Sequence, residues 1–155
     1  MYRFRSALIT TFVTLTCWIA NLQAIAQTTA RLTVAQAWAR ATPPGITIGG
    51  AYFTINNSGD ADTLLGIESP VCDHADLHLM SMKAGIMQMR PLRSVPVPAH
   101  GQVRFEPGHM HVMLNALHRP LREGEEFPMT LIFQRAGRVS TNVRVMGIGA
   151  GAPPR

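Results

Sequence analysis

Apolar and polar residues alternate along this chain in short runs that stop at glycine, proline or asparagine, and no helical period is sustained over three turns. Ala51-Tyr52-Phe53-Thr54-Ile55-Asn56 is one such run, closed by the turn cluster Asn57-Ser58-Gly59-Asp60. The same pattern predicts strands over Leu32 to Ala39, Thr63 to Glu68, Ala75 to Met80, Ile86 to Leu92, Gln102 to Glu106, Met110 to Ala116, Pro128 to Gln134 and Val139 to Met146. About nine strands at this spacing, punctuated by Pro and Gly, predict an all-β fold, a β-sandwich or Greek-key barrel. Leu32 to Arg40 reads alternatively as a short amphipathic helix. Ala41-Thr42-Pro43-Pro44-Gly45 is a rigid loop, because two prolines fix φ and continue neither regular structure. The Gly/Ala/Pro-rich end, 147–155, reads as a loose tail.

The amino terminus changes the picture of where this domain works. Arg3 and Arg5 precede an apolar run from Ser6 to Ala20, followed by the small-residue site Ala24-Ile25-Ala26, the layout of a secretory signal peptide over residues 1–26. Thr10, Thr11, Thr14 and Thr16 dilute the run below what a membrane anchor needs, so no stable membrane insertion is expected. Leu15-Thr16-Cys17 has the outline of a lipidation signal, but Thr16 stands where a smaller residue is wanted. Cleavage leaves 129 residues, 27–155, one domain's worth of chain. The formal net charge falls from +5 to +3 as Arg3 and Arg5 leave. The remaining arginines are scattered, without the basic stripe and interleaved aromatics that nucleic acid requires. Cys17 leaves too, and Cys72 alone cannot form an internal disulfide. It is expected to be buried, with a reserve thiolate ligand as the lesser alternative.

Strand parity separates methionines that pack from methionines that are presented. Over Ala75 to Met82, Leu77 and Leu79 share one face while Asp76, His78, Met80 and Met82 share the other. Over Met110 to Ala116, Met110, Val112 and Leu114 oppose His109, His111, Met113 and Asn115. In both cases histidine and methionine lie together on the polar side. Met129, by contrast, shares its face with Leu131 and Phe133 and belongs to the core. His74, His100 and His118 read as surface residues. A hairpin closed at Lys83-Ala84-Gly85, with Met80 paired to Met87, would put His78 opposite Met89. The result would be an N₂S₂ set of His78, Met89, His111 and Met113. Neutral imidazoles and thioethers suit Cu(I) and leave hard cations aside, and a thioether forms no disulfide in an oxidising compartment. A blue-copper centre would need a thiolate beside the histidines. No nucleophile stands with its base, so an enzyme is not expected.

The spacing His78, ten residues, Met89, twenty-one residues, His111, one residue, Met113 resembles the H-x10-M-x21-H-x-M signature of the periplasmic Cu(I) chaperone family PCuAC. Flanking blocks extend the resemblance over nearly all of 27–155: Ala37 to Gly45, Gly50 to Asn57, Leu77-His78, Pro107-Gly108, His111 to Leu114 and Pro120 to Gly124. The resemblance implies a cupredoxin-like β-sandwich or barrel and solvent-accessible Cu(I) on those four residues. It also implies delivery to the copper centre of cytochrome c oxidase subunit II, directly or with a Sco-type protein. The alternative is a periplasmic copper storage or resistance protein with no dedicated acceptor. Where the family has a second glycine after Pro-Gly, this chain has His109-Met110, which makes His109 a candidate auxiliary ligand. Met80, Met82 and Met87 are candidates for a transfer path. Met113→Ala and His111→Ala are expected to weaken Cu(I) binding without disturbing the fold.

Overall fold

Strand β2 (Ile48–Asn57) is the hub of the architecture. One of its edges pairs antiparallel with β1 (Leu32–Arg40), and the other pairs in succession with β8 (Met110–Leu117) and β7 (Gln102–Phe105). The computed structural model describes residues 31–153. The expected signal peptide and Cys17 lie outside them. The other strands are β3 (Asp62–Glu68), β4 (Cys72–Lys83), β5 (Ile86–Pro91), β6 (Val95–Val97), β9 (Glu126–Phe133) and β10 (Gly137–Met146), and among the described residues there is no helix. The fold is all-β, as the alternation predicts.

Seven strands close on themselves in the order β4-β8-β2-β1-β10-β9-β3, with β3 returning to β4 through Ile67 and Ala75. The barrel is mixed, since β1 and β10 run parallel, with Trp38 beside Arg144, while the other pairs are antiparallel. Strands β5, β6 and β7 hang on its rim. Inside, Phe53 stacks on Phe105 with ring centroids 4.3 Å apart, and Ile55, Leu64, Val112, Leu114, Met129, Leu131 and Val143 are wholly excluded from solvent. Each such side chain contributes about 1.5–3 kcal/mol by leaving water. Met129 is in the core, as parity predicts, and His74, His100 and His118 are exposed, as expected of surface residues.

Leu32–Arg40 is a strand, as the alternation over Leu32 to Ala39 predicts, and not the alternative amphipathic helix. Three features depart from the sequence reading, the first a bulge within this strand. Gln36 takes a φ of 53°, and the register with β2 slips between Ala35 and Trp38. This bulge sets Gln36 and Ala37 against Phe53 alone, inserting one extra residue into the alternation, which is why the apolar positions mimic a helical face. The tenth strand, Val95-Pro96-Val97, escapes a propensity reading because proline interrupts it. Its place at the edge of the sheet makes the missing N–H harmless. The third departure is the β4–β5 register. Ala84 and Gly85 both have positive φ, 51° and 76°, and join Lys83 to Ile86 as a two-residue turn of the primed type. Gly85→Val is expected to fray this hairpin, seen as faster amide exchange over residues 81–88. The melting temperature should hardly move, because every side chain of β5 is exposed.

Past Met146, Arg40 Nε donates to Ala150 O at 2.7 Å, holding the described part of the Gly/Ala/Pro-rich end against β1.

Candidate metal centre

Three neighbouring strands, β5-β4-β8, carry the candidate donors on their outer face. The β4–β8 register sets His78 directly opposite His111, with the rings nearly parallel at 22° and their centroids 5.9 Å apart. Met113 lies two residues beyond His111, opposite Asp76 on β4 and opposite Gly50 on β2. Inward-facing Val112 and Leu114 are fully buried, and this anchoring fixes which face Met113 and His111 share.

Met89 does not face His78, the pairing that follows if Met80 is set opposite Met87. The two-residue turn pairs Met80 with Met89 and Met82 with Met87, while His78 faces Pro91. The slip is an even number of residues, so every methionine keeps its face. Met89 becomes the diagonal neighbour of His78, about 7 Å away at Cβ and within reach of a long flexible side chain.

The loop entering β8 sets the ring of His111. Glu106-Pro107-Gly108-His109 is a turn with Gly108 at φ 85° and His109 N–H donating to Glu106 O at 3.1 Å. The His109 carbonyl then accepts both Met80 N–H at 3.0 Å and the Nδ1 of His111 at 3.2 Å. A carbonyl only accepts, so Nδ1 holds the proton and Nε2 keeps its lone pair for a metal. Burial pushes the His111 pKa below its ordinary value, the carbonyl contact opposes this, and nearby His78 adds to the lowering. The imidazole is thereby kept neutral. His78 Nδ1 is buried without a hydrogen-bond partner, the condition of an atom awaiting a ligand. His109 acts here through its backbone, and its side chain is exposed.

Met80, Met87, Met89, His111 and Met113 line one open depression of about 500 Å³. Three of the four expected ligands are therefore at its surface, and His78 stands behind, stacked on His111. Met80 and Met87 belong to the lining as fully as Met89, and the signal for them was their shared parity with His78. Tyr52, Ile46, Ile48 and Ile148 supply the apolar wall, and no motif or spacing in the sequence points to them. Tyr52 is held by Trp38, 4.5 Å away, and by the Arg40 guanidinium, 5.8 Å from its ring centre. Gly50 keeps the floor open beside Met113, since a Cβ there would meet the Tyr52 hydroxyl at 3.0 Å.

Cys72 is no reserve ligand. It is buried opposite Leu117, six residues from His78 along β4 or about 20 Å. Burial pushes its thiol pKa up, and Asp73 and Asp76 reinforce this. Asp76 accepts from Asn115 Nδ2 at 2.8 Å, and Asp73 is engaged by His118 Nε2 at 2.8 Å. Among the described residues no three His, Cys, Asp or Glu side chains converge on a metal position. Any metal held at this face would meet thioether sulfur beside two imidazoles, a soft and uncharged donor set.

A family model described as LpqE-like, a lipoprotein family, matches residues 32–145. The Leifsonia xyli protein Lxx21020, named as a lipoprotein, is 30% identical over 119 residues, spanning 73% of this chain and 70% of that protein. Among solved structures, the copper-bound PCuAC domain from PmoF2 is similar with a TM-score of 0.65 and 25% identity, over 76% of this chain and 93% of that one. The Cu(I) form of DR1885 from Deinococcus radiodurans is similar with a TM-score of 0.57 and 30% identity, over 82% and 85% of the two chains.

Proposed function

The chain belongs to the LpqE-like family, and on that premise we propose that it is an exported Cu(I) chaperone that holds the ion on His78, Met89, His111 and Met113 and passes it to an oxidase copper centre. The observation that carries this reading is the stacked His78–His111 pair beside exposed thioethers in a depression open to solvent. The likeness to a copper-bound PCuAC domain and to the Cu(I) form of DR1885 supports the choice of metal. Each part of the donor set suits a cargo. The neutral ligands add no charge, so Cu(I) keeps its single positive charge and is favoured over Cu(II). The half-exposed Met89 lets an incoming ligand displace one sulfur at a time.

Export to the periplasm is supported by the arginine-led apolar leader and by the lipoprotein name of the Leifsonia relative. Among the described residues no helix is long and apolar enough to cross a membrane. The reading is of a carrier and not an enzyme: Asp76, which faces Met113 across the β4–β8 ladder, is engaged by Asn115, and Asp73 by His118.

Two measurements test it. Anaerobic titration against a competing chelator, with X-ray absorption, should find Cu(I) in mixed nitrogen and sulfur scattering, with the nitrogen part reduced in His78→Ala. Mixing the loaded protein with the apo copper domain of cytochrome c oxidase subunit II, alone or with a Sco-type protein, should move copper to the acceptor. Retention of copper by this chain would overturn delivery and favour storage.

A further inference from the structure

Beyond Leu79, strand β4 leaves the barrel. Its last registered partner on β8 is Met110, and residues 81–88 continue as a two-stranded arm with no other strand beside it among the described residues. Parity puts Met80, Met82, Met87 and Met89 on one face of this arm, and Ser81, Lys83, Gln88 and Arg90 on the other. Packing does not account for the sulfur face, since Met82 is 66% exposed and Met87 61%. Held in water at a hairpin tip, such side chains contribute little burial to the fold.

The two-residue turn has a consequence for these sulfurs. It makes Met82 and Met87 directly opposed, with Met80 and Met89 opposed one step nearer the barrel. Directly opposed Cβ atoms lie about 5 Å apart, and methionine has the rotatable bonds to bring its sulfur onto a common point. We propose that Met80, Met82 and Met87 form a second, all-thioether site for a soft monovalent cation, Cu(I) or Ag(I), at the tip of the hairpin. It rests on the Cu(I) reading above and adds a position that the four-residue set leaves out. Met89, opposed to Met80, is the corner shared with the histidine site, so an ion moves between the two by exchanging one thioether for another. Without imidazole, the outer site binds more weakly than the inner one and fills second.

The test is titration of the exported protein with Ag(I), a redox-inert stand-in for Cu(I), followed through the methionine methyl resonances and the bound equivalents. The wild type should take two equivalents, the second moving the Met80, Met82 and Met87 methyls, with the protein monomeric throughout. The variant Met82→Leu, outside the lining of the inner depression, keeps the apolar volume on an exposed arm and should take one, with the Met89 and Met113 methyls still responding. A wild type that stops at one equivalent, a Met82→Leu variant that still takes two with equal affinity, or a second equivalent that appears only with dimerisation would overturn the outer site and leave the inner one standing. No binding at all would overturn both.

Discussion

Exchanging Met113 for alanine is expected to weaken Cu(I) binding by about a hundredfold or more while moving the melting temperature by no more than a few degrees. Loss of a residue that only supports a ligand already costs about 10–100-fold, so loss of a ligand from a small neutral set should exceed the upper end, about 2.7 kcal/mol. Met113 is only partly buried, and its neighbours Val112 and Leu114 keep the strand anchored. His111→Ala should lose at least as much affinity but behave differently in the melt. Parity alone places both residues on a face free to change, whereas His111 is only 6% exposed and its ring is hydrogen-bonded to the His109 carbonyl. Its removal opens a cavity and is expected to cost about 2 kcal/mol of stability as well. Chelator competition together with thermal unfolding of the two variants checks the distinction. Equal melting temperatures would refute it.

The second large effect is far from the metal. Asp62, 7% exposed, opens β3 and accepts N–H from Thr63 at 2.7 Å, Arg135 at 2.9 Å and Ala136 at 2.8 Å, thereby tying the β9–β10 turn to β3. Asp62→Ala abandons three N–H groups that were matched to a charged acceptor and should cost on the order of 3 kcal/mol. For a domain of this size that is a fall of roughly 10 °C in melting temperature. The carboxylate also sets an acid limit. Burial pushes its pKa up, but the Thr63, Ala136 and Arg135 N–H groups and the Arg135 charge outweigh burial, and the net shift is downward from 3.8. A depressed folded pKa gives stability that is complete above the unfolded value and lost as pH falls through the folded one. Wild-type stability should therefore decline below about pH 4, and Asp62→Asn should flatten that decline. An identical acid profile in both proteins would refute the assignment.

The chemistry of the site was more legible in the sequence than its geometry. Alternation about Leu77 and Val112 was enough to set His78, His111 and Met113 on a common outer face, because burial of one face leaves a strand no choice about the other. The pairing of Met89 was not legible, because it depended on where the hairpin turned. Alanine at a positive-φ position is not a residue from which a primed turn is read, and Ala84 concealed it. Burial of His111 was hidden for a related reason. Its ring stacks on that of His78, and it lines a depression whose apolar wall, Tyr52, Ile48 and Ile148, is brought in from distant segments, and strand parity carries no information about what arrives from elsewhere. The bulge at Gln36 and the proline in β6 are local exceptions to alternation, and such exceptions are invisible to a rule built on it.

The parallel pairing of β1 with β10 bears on the order of events in the life of the chain. Trp38 finds its partner Arg144 only after almost the whole sequence is available, and closure of the ring depends on that contact. Pairings so remote in sequence form late and slowly, after the loop-closure cost has been met. Synthesis from the amino terminus therefore yields no finished barrel until its last strand has emerged. For a chain exported as proposed above, this connectivity would be a built-in delay, leaving the barrel unclosed until the trailing strand has crossed.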